Sequence, residues 1–174
     1  MFQLSNCYAA NRRSSNPVQL YVTSVVRDEE KDALWRSLII CNADSWDVYI
    51  KQEHYLELFE KEDIIYLVAE SDVELPSSLL AGEELPADAI TEKNVFVIGG
   101  LVDHNHHKGH CYEMVRNLSL KNARLPLDRE EFCLKGRTIL SIVHVYEVLL
   151  SVLDKSKSWM EAFDVHIPKR KLNK

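Results

Sequence analysis

Glycine and proline are scarce in this chain, five of each among 174 residues, which excludes collagen-like and Pro/Gly-rich low-complexity architectures. No segment repeats at a fixed period, so solenoids and propellers are excluded as well. The four cysteines (Cys7, Cys41, Cys111, Cys133) are scattered, with no Cys-x-x-Cys pair. That usage speaks against a disulfide framework and for a reduced intracellular protein. No apolar run approaches the ~20 residues of a membrane-spanning helix, and the N-terminus lacks the charge-then-apolar pattern of a signal peptide.

What is present is an ordinary globular composition, 46% hydrophobic and 28% charged, in a chain long enough to bury one proper core. The net charge of −6 is unevenly spread. Residues 1–94 carry 8 Lys/Arg against 18 Asp/Glu, a net of −10, whereas residues 95–174 carry 13 against 9, a net of +4. A local basic field matters more to a phosphate-bearing partner than the whole-chain sum, so the second half permits such a partner.

Strand and helix signals alternate. Val18–Thr23, Ile64–Ala69, Val95–Ile98 and Asn122–Leu127 read as strands, the last stopped by Pro126; Trp46–Ile50 reads as a short extended piece. Ile64–Ala69 is apolar almost throughout, as befits a strand buried on both faces of a parallel sheet. Ala33–Cys41 reads as a helix with Asp32 or an upstream acid at its positively polarised start. A short amphipathic helix is expected over 53–61 and a last turn or two over Trp159–Phe163. Lys108–Leu118 places Cys111, Met114, Val115 and Leu118 on one face, and Ser141–Leu153 is apolar around much of its circumference, so it packs on more than one side. The acidic stretch Glu70–Lys93 is long for a loop. Together these predict an α/β domain with a mainly parallel sheet flanked by helices. An N-terminal segment (1–16) precedes the domain (17–168), and a basic tail (169–174) follows it.

The most informative stretch is Val95–Gly109. A strand ends in Gly99-Gly100, where the lack of a Cβ lets backbone approach a ligand and unusual φ values cost little. Asp103 then falls just past the carboxyl end of a strand, where open α/β sheets place ligands. The histidines that follow (His104, His106, His107, His110) invite a metal reading, but no cysteine or acid pair stands at a zinc spacing, so no metal is expected. Leu67, Cys111 and Leu125, taken alone, read as core.

The run Ile98-Gly-Gly-Leu-Val-Asp103-His-Asn105, with Lys108-Gly109 and Ala123-Arg-Leu-Pro-Leu127, resembles the tRNA (guanine-9-N1)-methyltransferase family of the SPOUT class, in its eukaryotic nuclear or cytosolic branch. The likeness extends in order through Asn11-Arg-Arg, Pro17–Ser24, Glu62–Leu67, Val145–Leu149, Trp159–Phe163 and Pro168–Lys171. It implies a C-terminal trefoil knot that holds S-adenosyl-L-methionine, a monomeric enzyme of the nucleus or cytoplasm, and tRNA as substrate. It further implies that Leu67, Gly99, Gly100, His104, Asn105, His106, His107, Lys108, Cys111, Leu125, Thr138, Ile139 and Leu140 surround the cofactor. Gly100 is favoured as the backbone contact, and the histidine turn also lies toward the RNA. Asp103 matches the motif aspartate, either as the base that accepts the guanine N1 proton or as a hydrogen-bond partner or cap. Arg12, Arg13, Lys108, Lys121 and Arg124 are the expected phosphate contacts. Two departures stand out: Val143 occupies a position where the family usually has Asn, and the Glu70–Lys93 loop is longer and more acidic than usual. With Val143, and without the Lys-rich N-terminal extension that many members carry, a tRNA-binding scaffold of weakened catalysis is the alternative; because some relatives also modify adenine, dual guanine and adenine specificity is another.

Overall fold

The computed structural model describes residues 2–76, 93–100, 109–127, 140–154 and 157–169. In chain order the elements are α1 (Phe2–Arg13), β1 (Tyr21–Val22), α2 (Ala33–Ile40), β2 (Tyr49–Ile50), α3 (Tyr55–Leu58), β3 (Ile64–Leu67), β4 (Val95–Ile98), α4 (His110–Asn117), β5 (Lys121–Ala123), α5 (Ile142–Leu153) and α6 (Trp159–His166). Every strand pairing among the described residues is parallel. The strands form two ladders, β1–β2 and β4–β3–β5, with β3 central in the second. The expected α/β class with parallel strands flanked by helices therefore holds.

The central strand shows why. Ile64 and Tyr66 are buried on one face, against Val115 and Leu120 and the partly buried Cys111, Met114 and Leu118 around α4. Ile65 and Leu67 point the other way, into a cluster built from α5, α6 and the end of β5. A strand covered on both faces has no use for polar alternation. Each fully buried aliphatic or aromatic side chain contributes about 1.5–3 kcal/mol.

Local signals set several boundaries. Asp32 caps α2, its Oδ1 accepting from Leu34 N at 2.8 Å. His54 and Glu57 form a capping box at α3, and Ser158 with Glu161 forms another at α6. Helix α3 is a single turn rather than the whole of 53–61, because Phe59 is already extended. The strand expected over Val18–Thr23 is reduced to Tyr21–Val22. Its start is diverted by buried Asn11, whose side chain donates to Val18 O at 2.8 Å and accepts from Val18 N at 3.0 Å.

The segment 1–16 holds the main departure from the sequence pattern. It contains α1, which runs parallel to α5 and lies against it: Gln3 Oε1 accepts from Val143 N at one end, and Ser14 Oγ donates to Asp154 Oδ2 at the other. Between those ends Cys7, Tyr146 and Leu150 form a shared buried cluster with Ile98 and Val143 at its margin. The segment thus shares its packing with the domain that follows it.

Burial pushes the Cys7 thiol up to about 12, with Glu147 adding to the effect. Burial also raises Tyr146, whose hydroxyl has no hydrogen-bond partner among the described residues. A raised folded-state pKa gives stability that is complete below the ordinary value and lost as pH rises through the folded one. The urea midpoint is therefore expected to fall as pH climbs from 9.0 toward about 12. Cys7→Ala should flatten the first part of that fall relative to its own neutral-pH midpoint. Parallel curves for the two proteins would exclude the thiol as the cause.

Candidate functional site

Because β3, β4 and β5 are parallel, their carboxyl ends share one edge, with Leu67 in register with both Ile98 and Ala123. β4 and β5 lie on opposite sides of β3. Such a reversal of strand order opens a crevice at the carboxyl edge, the usual ligand position in this fold class. Gly99-Gly100 follow β4 at this edge, and Leu125 follows β5.

Three residues picked from the sequence meet there on one face. Leu125 is buried, and half-buried Leu67 and Leu140 pack against the same cluster, which is backed by Val148, Phe163 and Ile167. Leu140 leads into α5, whose first turn places Ile142 and Val143 at the margin of the same buried cluster as Ile98. The result is an apolar wall with part of its surface still open.

On the other face, Cys111 of α4 reaches the same edge beside Gly99. Neither Gly99 nor Gly100 has a positive φ; among the described glycines only Gly109, the cap of α4, does, at 73°. Of the two properties glycine offers here, the missing Cβ is the one Gly99 uses, not freedom of φ. A Cβ at residue 99 would lie 2.7 Å from the Tyr66 hydroxyl and 3.5 Å from Cys111 Sγ, whereas one at residue 100 would meet no atom within 4 Å. Tyr66 is 5% exposed. Burial raises its hydroxyl pKa, followed by the effects of Cys111, of Tyr55 and of a hydrogen bond with Cys111. It is a neutral donor fixed beneath the turn.

An apolar wall of leucines and a glycine step with open space at Gly100 suit a ligand that is part flat heterocycle and part polar chain. The first needs an apolar flank and the second needs backbone groups at close approach. The residues present fit an adenosyl cofactor on those grounds.

Other residues read from the sequence stand elsewhere. Asp103, His104, Asn105, His106, His107, Lys108, Thr138 and Ile139 lie outside the described residues. Arg12 and Arg13 are exposed in the last turn of α1, beside the C-terminal end of α5, so the length of α5 separates them from Leu140. Lys121 opens β5, at the far edge of the sheet, and its Nζ donates to Glu62 O. Arg124 is at the carboxyl edge, but its guanidinium holds Glu74 at 2.9 Å. These cations do not converge on one point. Tyr66 and Glu74 are the neighbours that sequence reasoning missed; a lone tyrosine in an aliphatic strand was the available signal for the first.

Over residues 1–172 the chain matches the family described as tRNA (guanine(9)-N(1))-methyltransferase TRM10/TRM10A. It is 38% identical over 175 residues to tRNA methyltransferase 10 homolog A of Homo sapiens, covering 97% of this chain and 45% of that protein. It is 30% identical over 173 residues to the tRNA (guanine(9)-N1)-methyltransferase of Candida glabrata, covering 98% and 55%. The chain thus spans about half the length of these relatives. Among solved structures it is similar to full-length spTrm10 in complex with SAH, with TM-score 0.76 and 28% identity over 97% of this chain and 82% of that one. The fold extends to a dual-specific Trm10 of Thermococcus kodakaraensis, with TM-score 0.54 and 20% identity over 92% and 84% of the two chains.

Proposed function

Because the chain belongs to the tRNA (guanine(9)-N(1))-methyltransferase TRM10/TRM10A family, we propose that it methylates N1 of the guanine at position 9 of tRNA, with S-adenosyl-L-methionine as donor. The observation that carries the reading is the extent of the match. It runs through all three strand ends that make the candidate edge, and a similar solved protein was crystallised with SAH, the form the donor takes after giving up its methyl.

When bound, the donor supplies a methyl group on a positively charged sulfur. Leu67, Leu125 and Leu140 give the adenosyl group an apolar flank, and the Gly99-Gly100 backbone offers polar groups with no Cβ of its own in the way. Cys111 closes the edge as a small apolar wall beside Gly99 rather than as a reactive thiol. Asp103 is the group we place against guanine N1. A solvated aspartate has a pKa near ~4 and is a poor base, so partial burial next to Leu101 and Val102 is part of this reading. The target base sits inside the folded tRNA and must be extruded to reach a buried donor.

The same reading includes a SPOUT-type trefoil knot near the C-terminal end, action as a monomer, and residence in the nucleus or cytoplasm. It also assigns phosphate contacts to Arg12, Arg13, Lys108, Lys121 and Arg124. The wide spacing of the described cations supports a long track over the tRNA rather than a single pocket, since a helix the length of α5 spans about 18 Å. Arg124 would exchange Glu74 for phosphate. With such a track, each arginine-to-alanine change at 12 or 13 should lower the slope of log affinity against log salt by about 1.

The deciding experiment is a methylation assay on unmodified tRNA transcripts with guanine or adenine at position 9, followed by nucleoside analysis. We expect N1-methylguanosine from the guanine transcript. Absence of product at every tRNA and donor concentration, with the protein folded, would overturn the reading.

A further inference from the structure

Tyr66 stands out because its register fixes it against a residue 33 positions away. In β3 it pairs with Val97 of β4. Side chains on one face of a strand recur every second residue, so a side chain at 99 would leave the backbone on the same face as Val97. Tyr66 leans along that face, and its hydroxyl takes the room where a Cβ at 99 would sit, at 2.7 Å. The phenol is not free to swing away. Tyr55 lies edge-on to it at 6.0 Å, Cys111 Sγ flanks the same point beside Gly99, and the ring is buried in the cluster around Val115. A buried polar group, a steric stop, therefore fills the space that any side chain on the first residue after β4 would need.

We propose that Tyr66 is a positioning residue for the cofactor: its hydroxyl, held by the buried ring, seats the Gly99-Gly100 backbone at the carboxyl edge of the sheet. This rests on the proposed methyltransferase reading and deepens it, because it names the group that sets donor affinity without touching the donor. Gly99 is required by the hydroxyl, and the hydroxyl acts through Gly99. Gly100, with open space where its side chain would be, is the residue presented to the ligand.

The pair can be tested as a cycle. Tyr66→Phe removes the stop and lets the turn relax. It is expected to weaken SAH binding by calorimetry, and to raise KM for the donor, by a factor of about 3 to 10, the worth of one well-placed hydrogen bond. kcat at saturating donor should stay near the wild-type value. Gly99→Ala puts a Cβ against the hydroxyl and should lose both SAH binding and several degrees of melting temperature. In Tyr66→Phe/Gly99→Ala the nearest remaining neighbours are Cys111 Sγ at 3.5 Å and the Tyr66 ring carbon at 3.6 Å, both ordinary contacts. The double variant should therefore recover most of the melting temperature lost by Gly99→Ala, and part of its affinity. Unchanged SAH affinity in Tyr66→Phe, with an active wild type, overturns the positioning role. Simple additivity of the two melting-temperature changes overturns the steric stop, and that measurement needs no ligand. A folded wild type that neither binds SAH nor methylates tRNA instead overturns the functional reading together with the role that rests on it; the melting cycle then still decides the stop.

Discussion

Asp103→Asn is expected to slow methyl transfer by about 10²- to 10⁴-fold in a single-turnover assay, the range seen when a positioned proton acceptor is removed. SAH affinity should stay within about twofold, because the change alters no apolar area and removes one charge. Guanine N1 carries its proton at neutral pH, and that proton must leave as the methyl arrives. Asparagine keeps the size of aspartate and one carbonyl oxygen, so it can still accept a hydrogen bond from the base edge. What it lacks is the capacity to take the proton. Asp103→Ala separates the two roles: if Asp103 only orients the base, Asn should perform far better than Ala, and if it is the acceptor, both should be comparably slow. The pH profile gives a second reading. An acceptor whose pKa is raised by burial imposes a rise in rate with pH through that value, and Asp103→Asn should abolish it. An unchanged single-turnover rate in Asp103→Asn would remove the aspartate from the chemistry altogether.

The parts of the fold visible in the sequence are those decided within a few residues. β3 and β4 are short β-branched runs, and α5 is an apolar stretch with Ser141 ahead of it. Asp32 caps α2 as its position before Ala33 suggests. α1 was not visible, because Phe2–Arg13 is polar and weakly patterned. What makes it a packed helix is α5, some 140 residues along the chain, which meets Cys7 in the core and bonds Gln3 and Ser14 at the two ends. The shortened start of the first strand has the same origin, since Asn11 captures Val18 across a seven-residue turn.

At the candidate edge the sequence offered residues but not their arrangement. Leu67, Leu125 and Leu140 all look like core leucines; Leu125 is one, whereas Leu67 and Leu140 pack half-buried at the margin of its cluster, and only the parallel register puts Leu67 and Leu125 at one edge. Tyr66 and Gly99 carry no joint signal, because their contact depends on how β3 and β4 align. Arg124 reads as a free cation until Glu74 is brought alongside it by the bridge between the two. A partly exposed pair of this kind contributes roughly 0–1 kcal/mol, so it can be exchanged for a phosphate at little cost.

Phe163→Ala is the substitution from which the largest loss of stability is expected, about 3–5 kcal/mol. Phe163 is 0% exposed. It lies in the cluster that joins α5 and α6 to Leu125 and Ala123, with Leu67 and Leu140 at its margin. Trp159 lies 5.8 Å away, ring to ring, and Ala162 is fully buried beside it, so no long side chain stands free to fill the space left behind. A domain of this kind is stable by about 5–15 kcal/mol, so the variant should give up roughly a fifth or more of the total. Its urea midpoint should drop with an unchanged slope. The site should suffer with it, because the cavity opens behind the leucine wall, and SAH affinity should fall even where the protein remains folded. Ligand linkage supplies the converse. A ligand at about 100 times its dissociation constant stabilises the folded state by about 2.7 kcal/mol, so SAH should raise the midpoint of both wild type and variant, the variant at higher ligand concentration. If Phe163→Ala destabilised the domain without shifting the SAH concentration needed, the wall and the α5–α6 core would be independent, and the apolar flank of the cofactor would have to lie elsewhere on the edge.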